Sequence, residues 1–276
     1  MTELVLPERR VLLPDAGYVI DDAKRRVMAS IGYVLGAAGQ VGRVLGQASA
    51  APAGESYYAI VHNGSTAVNG GSAASLDDLP TEAFTVDGWA ALNKVGLYGD
   101  LFYKQLWRNA RQEGWAFSPN SMTQSGGIQY ANFVTVCRGV TQSQASTSTV
   151  SLGAPLVWHH YAMTLDAAGD ANVRIWIDGA LVATAASALA GYYTDAGISF
   201  VLSPSPFWLG YVGWTRISNI VRYSAPFTPV AYNAPPATDA NTLLLWRLTE
   251  GAGVTAGDSS SNGNNGTISN GSWIAL

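Results

Sequence analysis

Carboxylates, histidines and aromatic rings are the side chains of this 276-residue sequence whose types could do chemistry. Retaining glycoside hydrolysis needs an acid and a nucleophile roughly 5 Å apart. Glutamate stands at positions 3, 8, 55, 82, 113 and 250, never in an alternating acidic cluster. Asp77 and Asp78 are adjacent, and in a strand adjacent side chains face opposite ways. The carboxylates therefore argue against a glycosidase. His159 and His160 follow Trp158, but a metal or catalytic role needs further ligands, and His62 is distant in sequence. They read as one packed and one surface side chain. Residues 258–266 (DSSSNGNNG) are dense in the hard oxygen donors that Ca²⁺ accepts in flexible loops. The same composition also suits a plain Asn/Gly turn. Aromatic faces stack on sugar rings, and Tyr103, Trp107, Tyr192, Tyr193 and Trp208 qualify by their loop-side context. Trp89, Trp158, Trp176 and Trp246 lie within or beside strands and read as core.

The elements that would position these groups are strands. In residues 158–179, Tyr161, Met163 and Leu165 alternate with Ala162, Thr164 and Asp166, and Val173, Ile175 and Ile177 alternate with Arg174, Trp176 and Asp178. Period two over both runs, with Ala-Ala-Gly-Asp-Ala-Asn between them, predicts a hairpin. Further strands are expected at 57–62, closed by Asn63-Gly64, and at 84–92, with a meander over 114–137. An exposed hairpin is expected at 141–150, and strands again at 207–210, 213–217, 243–248 and 268–274. Residues 96–111 carry Tyr98, Phe102, Tyr103 and Trp107 without clear alternation and predict a loop or short helix on the rim. Residues 227–238, flanked and interrupted by Pro226, Pro229, Pro235 and Pro236, predict an extended connector.

Four stretches resemble one family. The hairpin W-H-H-Y-A-M-T-L-D…V-R-I-W-I-D-G-A-L-V, the strand Phe84-Thr85-Val86-Asp87-Gly88-Trp89, the run Gly213–Asn219 with Val221-Arg222-Tyr223 and Phe227-Thr228-Pro229, and residues 245–267 resemble the concanavalin A-like lectin/glucanase superfamily in its laminin-G-like and pentraxin-like branch. The resemblance covers roughly residues 55–274 and implies an all-β, concanavalin A-like jelly-roll sandwich of two antiparallel sheets. Many laminin-G-like domains carry the W-x-L-x-E-G segment first; here it comes last. Residues 243–274 are therefore expected to return beside 57–62 and complete the same sandwich. The resemblance also implies a structural Ca²⁺ held by Asp258, Asn262 and Asn265, against the plain-turn alternative. The form R-I-S-N-x-x-R-Y-x-x-x-F-T-P resembles phage tail and other virion proteins.

Composition bounds the rest. Only 12% of the residues are charged, about half the usual share, and the net charge of −4 gives no basic footprint for nucleic acid. A single cysteine, Cys137, forms no internal disulfide and reads as a small buried residue. The longest uncharged run near the N-terminus is too short and glycine-rich for a membrane span, and no secretion signal is visible. Residues 1–50 hold six of the fifteen Lys/Arg and no Trp. Within them, 4–6 and 11–13 read as extended, while 21–30 could start a helix capped by Asp21, the alternative being a hairpin over 31–45. Residues 1–50 are expected to be an assembly arm and 51–276 the sandwich domain. The expected function is a non-enzymatic virion structural protein of decoration or tail type, contacting other virion subunits and itself through the arm. A surface glycan is a further expected partner, and an extracellular carbohydrate-binding module is the alternative.

Overall fold

The computed structural model describes residues 55–93, 96–97, 99–140, 143–186, 191–202 and 209–276, and before them four short strands. Two compact units result, Met1–Ala48 and Ser49–Leu276. In the first, Leu4–Val5 (β1), Val11–Leu13 (β2), Tyr18–Ile20 (β3) and Arg26–Met28 (β4) form an antiparallel meander. Residues 4–5 and 11–13 are extended as expected. Strand β4 corrects the helix considered for residues 21–30: residues 26–28 pair with β3 through Val19↔Val27. A lone helical turn fixes many dihedrals for few bonds, so a strand with a partner wins. The alternative hairpin at 31–45 lies outside the described residues.

The second unit continues with Tyr58–Asn63 (β5), Ala67–Asn69 (β6), Ala83–Asn93 (β7), Gly96–Leu97 (β8), Phe102–Arg108 (β9), Arg111–Ser125 (β10), Ile128–Cys137 (β11), Ser143–Ser146 (β12) and Val150–Ser151 (β13). It closes with Trp158–Asp166 (β14), Asn172–Ile177 (β15), Ala180–Ala186 (β16), Val201–Leu202 (β17), Leu209–Ser218 (β18), Thr242–Trp246 (β19), Thr255–Ala256 (β20), Gly266–Ser269 (β21) and Ser272–Ala275 (β22). Two antiparallel sheets form. One has ten strands, ordered β12-β11-β10-β9-β17-β6-β21-β20 with β8 and β13 beside them. The other has eight, ordered β16-β15-β14-β7-β18-β5-β22 with β19 on β18. No helix among the described residues is long and apolar enough to cross a membrane.

Alternation builds the core between the sheets. Phe84 and Val86 on β7, Met163 and Leu165 on β14, and Val173 and Ile175 on β15 meet Trp115, Phe117 and Phe133 from the ten-stranded sheet. Phe117 lies 5.7 Å from Phe133, and Phe133 lies 5.2 Å from Tyr161. Burying such rings removes the most apolar area per residue. Cys137 is fully buried in this core, as expected, and burial pushes its thiol up. The C-terminal segment returns as expected: Trp273 pairs with Ile60 and Ile274 with Ala59, so β22 completes the eight-stranded sheet beside β5.

Strand β9 corrects the expectation for residues 96–111. It lies inside the ten-stranded sheet, in register with β10 through Tyr103↔Ala116 and Gln105↔Gly114. The alternation was hidden because an inward position, Lys104, is a lysine that is wholly buried. Opposite the next residue, Gln105, Gly114 has φ +91°, and a Cβ there would lie 1.9 Å from the Lys104 carbonyl oxygen. Glycine admits both the turn in φ and the close approach.

Candidate functional site

The two outer faces of the sandwich differ. The outer face of the eight-stranded sheet is closed by the chain's own residues 219–241. Thr85 Oγ1 donates to the Ile220 carbonyl at 2.7 Å, Trp89 Nε1 to the Val230 carbonyl at 2.8 Å, and Trp214 Nε1 to the Ala231 carbonyl at 3.0 Å. Tyr232 stacks on Trp158 at 5.2 Å, and Phe227 packs on Trp176 at 5.8 Å.

Beneath this strap the family-like motifs converge on one buried cluster. Arg216 Nε and Nη2 donate to the two Asp87 oxygens at 3.0 and 2.9 Å, a bidentate pair. Tyr223 donates to Asp87 Oδ2 at 2.8 Å, and His160 Nε2 lies 3.3 Å from the same oxygen. The Tyr223 and Phe227 rings stack at 3.6 Å. Burial works to raise the Asp87 carboxyl, but the Arg216 charge and the hydrogen bonds with His160 and Arg216 together outweigh it and hold the group far below the usual carboxylate range. His160 is fully buried here. His159 is partly buried at the edge, with Nδ1 2.7 Å from Asp178 Oδ2 and Nε2 2.8 Å from the Leu152 carbonyl. Both ring nitrogens face acceptors, so the cation fits. Burial opposes that charge, and the hydrogen bonds with Asp178 and Leu152 outweigh burial and raise its pKa. Of the two histidines, one is packed and one lies nearer the surface.

Among the described residues, the outer face of the ten-stranded sheet carries no such strap. One cross-strand row runs from Thr255 on β20 through Thr267, Asn69, Val201 and Tyr103 to Ala116, Val136 and Gln144 on β12. It is uncharged and mostly small. Around its β9–β12 end lies a groove of about 720 Å³ lined by Tyr103, Gln105, Gln112, Asn132, Gln144 and their neighbours. Gln112 Nε2 donates to Gln105 Oε1 at 3.2 Å, and Gln144 Nε2 to Ser146 Oγ at 3.1 Å. Asp100 is the one carboxylate in the lining, and it accepts from Ser118 Oγ at 2.5 Å. Trp107 stands on the same face of β9, in register with Gln112 and 71% exposed.

A family model described as the concanavalin A-like lectin/glucanases superfamily matches residues 53–224, more than half of the chain. The chain belongs to this superfamily. Among solved structures it is similar to the binding domain of Paraclostridial Mosquitocidal Protein 1 at 15% identity and TM-score 0.40, covering 59% of this chain and 42% of that one. It is similar to the CBM40 of a Ruminococcus gnavus IT-sialidase at 11% identity and TM-score 0.40, covering 57% and 89%. It is also similar to a heptameric SAP-like pentraxin from Limulus polyphemus at 10% identity and TM-score 0.38, covering 72% and 92%. The chain thus spans less than half the length of the mosquitocidal binding domain. No curated protein matches the sequence.

Within this concanavalin A-like sandwich the four described residues among the five aromatics picked from sequence do not gather at one point. Tyr103 lines the groove and Trp107 shares its face. Tyr192 is turned inward, its hydroxyl donating to Asp195 Oδ2 at 2.7 Å. Tyr193 lies 3.8 Å beneath the Arg111 guanidinium, and its N–H donates to the carbonyl of Arg138, a groove residue. Trp208 lies outside the described residues.

Asp258, Asn262 and Asn265 do come together, but their groups face the chain's own donors and acceptors. Asp258 Oδ1 accepts from the Leu245 and Ser260 N–H groups, and Oδ2 from Ser260 Oγ and the Asn264 N–H, at 2.6–2.9 Å. Asn265 Oδ1 accepts the Asp258 N–H at 2.8 Å, and Asn262 Nδ2 donates to the Leu243 carbonyl at 3.1 Å. With its oxygens so engaged, the loop as folded does not fit a Ca²⁺ cage, which needs free oxygens converging on one point.

Sequence reasoning missed the groove amides. Their signal was the F-Y-K-Q-L-W-R run, which alternates once Lys104 is read as an inward residue.

Proposed function

We propose that this chain is a non-enzymatic glycan-binding module, with its sugar site on the open face of the ten-stranded sheet. The observation that carries the reading is the amide-rich groove of Tyr103, Gln105, Gln112 and Gln144 with the Trp107 indole exposed on the same face. Amides and hydroxyls match sugar hydroxyls, and an exposed indole supplies a stacking plate. A lining with one carboxylate supports binding without hydrolysis, because glycoside hydrolysis employs two. Screening of the whole chain against neutral oligosaccharides tests this. Trp107→Ala and Gln112→Ala are expected to weaken binding at least about tenfold, or about 1.4 kcal/mol. Absence of binding, or binding untouched by both substitutions, would sink the reading.

A second reading, a virion structural protein of decoration or tail type, draws support from the separate unit Met1–Ala48 with its own four-stranded meander. In that role the unit would hold the chain to neighbouring subunits and to copies of itself, with the sandwich facing a host glycan. Light scattering on the full chain and on a chain starting at residue 51 tests it. Assembly of the first with a monomeric second is the expected result. Two monomers would remove the assembly role, leaving an extracellular binding module.

A further inference from the structure

Lys104 leaves β9 toward the sandwich interior, and its side chain is fully buried. Its Nζ lies 2.9 Å from Asp77 Oδ1, 2.9 Å from Asp195 Oδ1 and 2.8 Å from the Asp195 carbonyl. The Asp195 side chain is equally buried. Asp195 Oδ1 also accepts the Asp78 N–H at 2.8 Å, and Oδ2 accepts the Tyr192 hydroxyl at 2.7 Å. Asp77 keeps 17% of its surface. An amine, a carboxyl and a second carboxylate thus meet away from water, beside the core ring of Trp115 that pairs with Lys104 across the ladder. Burying an ion pair in such a place carries a heavy desolvation cost. Joining the two groups removes both charges.

We propose that Lys104 and Asp195 condense into an intramolecular isopeptide bond, with Asp77 as the proton carrier. Condensation needs a neutral amine and a protonated carboxyl. Burial raises the Asp195 carboxyl above its ordinary value, against the pull of Lys104. Asp77 takes one proton from the ammonium, and the nitrogen lone pair attacks Asp195 Cγ. A C–N bond forms, and the carbonyl electrons move to Oδ1, where the Asp78 N–H stabilises them. Asp77 hands its proton to the hydroxyl at Oδ2, that C–O bond breaks, and water leaves. The nitrogen then gives a second proton to Asp77, whose exposed edge passes it to solvent. The products are one amide and one water, with no oxidant or co-reactant. This cross-link is independent of the glycan reading.

Denaturing mass spectrometry of the full chain tests it. The expected mass is one water below that of the sequence, with a branched proteolytic peptide joining Lys104 to Asp195. The sequence has three lysines, at 24, 94 and 104, so acylation of the denatured chain should mark Lys24 and Lys94 and spare Lys104. Asp77→Asn keeps both bonded partners and should remain at the full sequence mass. A wild-type chain at full mass with Lys104 acylated overturns the proposal. So does a lost water that maps to a succinimide at Asp178-Gly179, or a branch ending on Asp77. The wild-type measurements stand even if the variant fails to fold.

Discussion

Asp87 shows how the environment of a single residue decides the meaning of a motif. Its carboxylate is fully buried and is compensated by Arg216, with Tyr223 adding a hydrogen bond. Removing one partner of a buried pair strands the other charge. Arg216→Met is therefore expected to cost about 3–5 kcal/mol in urea unfolding. Replacing both, as Asp87→Leu with Arg216→Met, should cost much less than the sum, because no charge is then left alone. His62 makes a pH prediction. It is 2% exposed, and burial drives its pKa from 6.5 to about 3, against a weaker contribution from the Thr66 main chain. Between those values the unfolded chain binds a proton that the folded chain refuses. Stability from His62 is full above pH 6.5 and is lost as pH falls toward 3, by up to about 1.4 kcal/mol per pH unit. Urea midpoints across this range should be flatter for His62→Gln. An unchanged slope would dismiss His62 as the source. His159 has the opposite sign: its raised pKa gives stability that is full below 6.5 and fades as pH rises through the folded value.

At the scale of elements, the hairpin β14–β15 was legible because its alternation is unbroken, and Met163↔Ile175 pairs as that alternation requires. Strand β9 was not, since periodicity counts a lysine as outward and cannot see the Asp77 and Asp195 carboxylates that admit it to the core. Asp77 and Asp78 misled for a related reason. They lie between two 3₁₀ turns, and Asp78 sits at φ +56°, so both carboxylates reach the Lys104–Asp195 cluster. The loop 258–266 was legible as oxygen-rich, but composition cannot say whose donors those oxygens meet. Its Asp258 oxygens already serve four hydrogen bonds. A chelator is therefore expected to leave the melting temperature unchanged in calorimetry, and a clear fall would restore a bound Ca²⁺.

For the whole molecule, the order of the motifs along the chain mattered less than their closure in space. The segment that many laminin-G-like domains place first here ends the chain, and β22 still reaches β5. Trp273 Nε1 donates to the Gly253 carbonyl at 2.8 Å, and its ring meets Tyr58 edge-on at 6.3 Å. A chain ending at residue 270 loses that strand and uncovers β5. It should lose about 3 kcal/mol, or roughly 6–12 °C in Tm, and a cut without effect would show that closure is dispensable. The candidate face, by contrast, was legible only as scattered aromatics. A face is assembled by register, and register across eight strands is set by long-range pairing.

The strap of residues 219–241 gives the sandwich a front and a back, since it seals one broad face with Phe227, Tyr232 and main-chain carbonyls, while no described residue straps the other. A one-fronted unit gains avidity from neighbours only when they are mounted facing the same way. If the proposed glycan site lies there, two copies set back to back would instead tether one glycan-bearing surface to another.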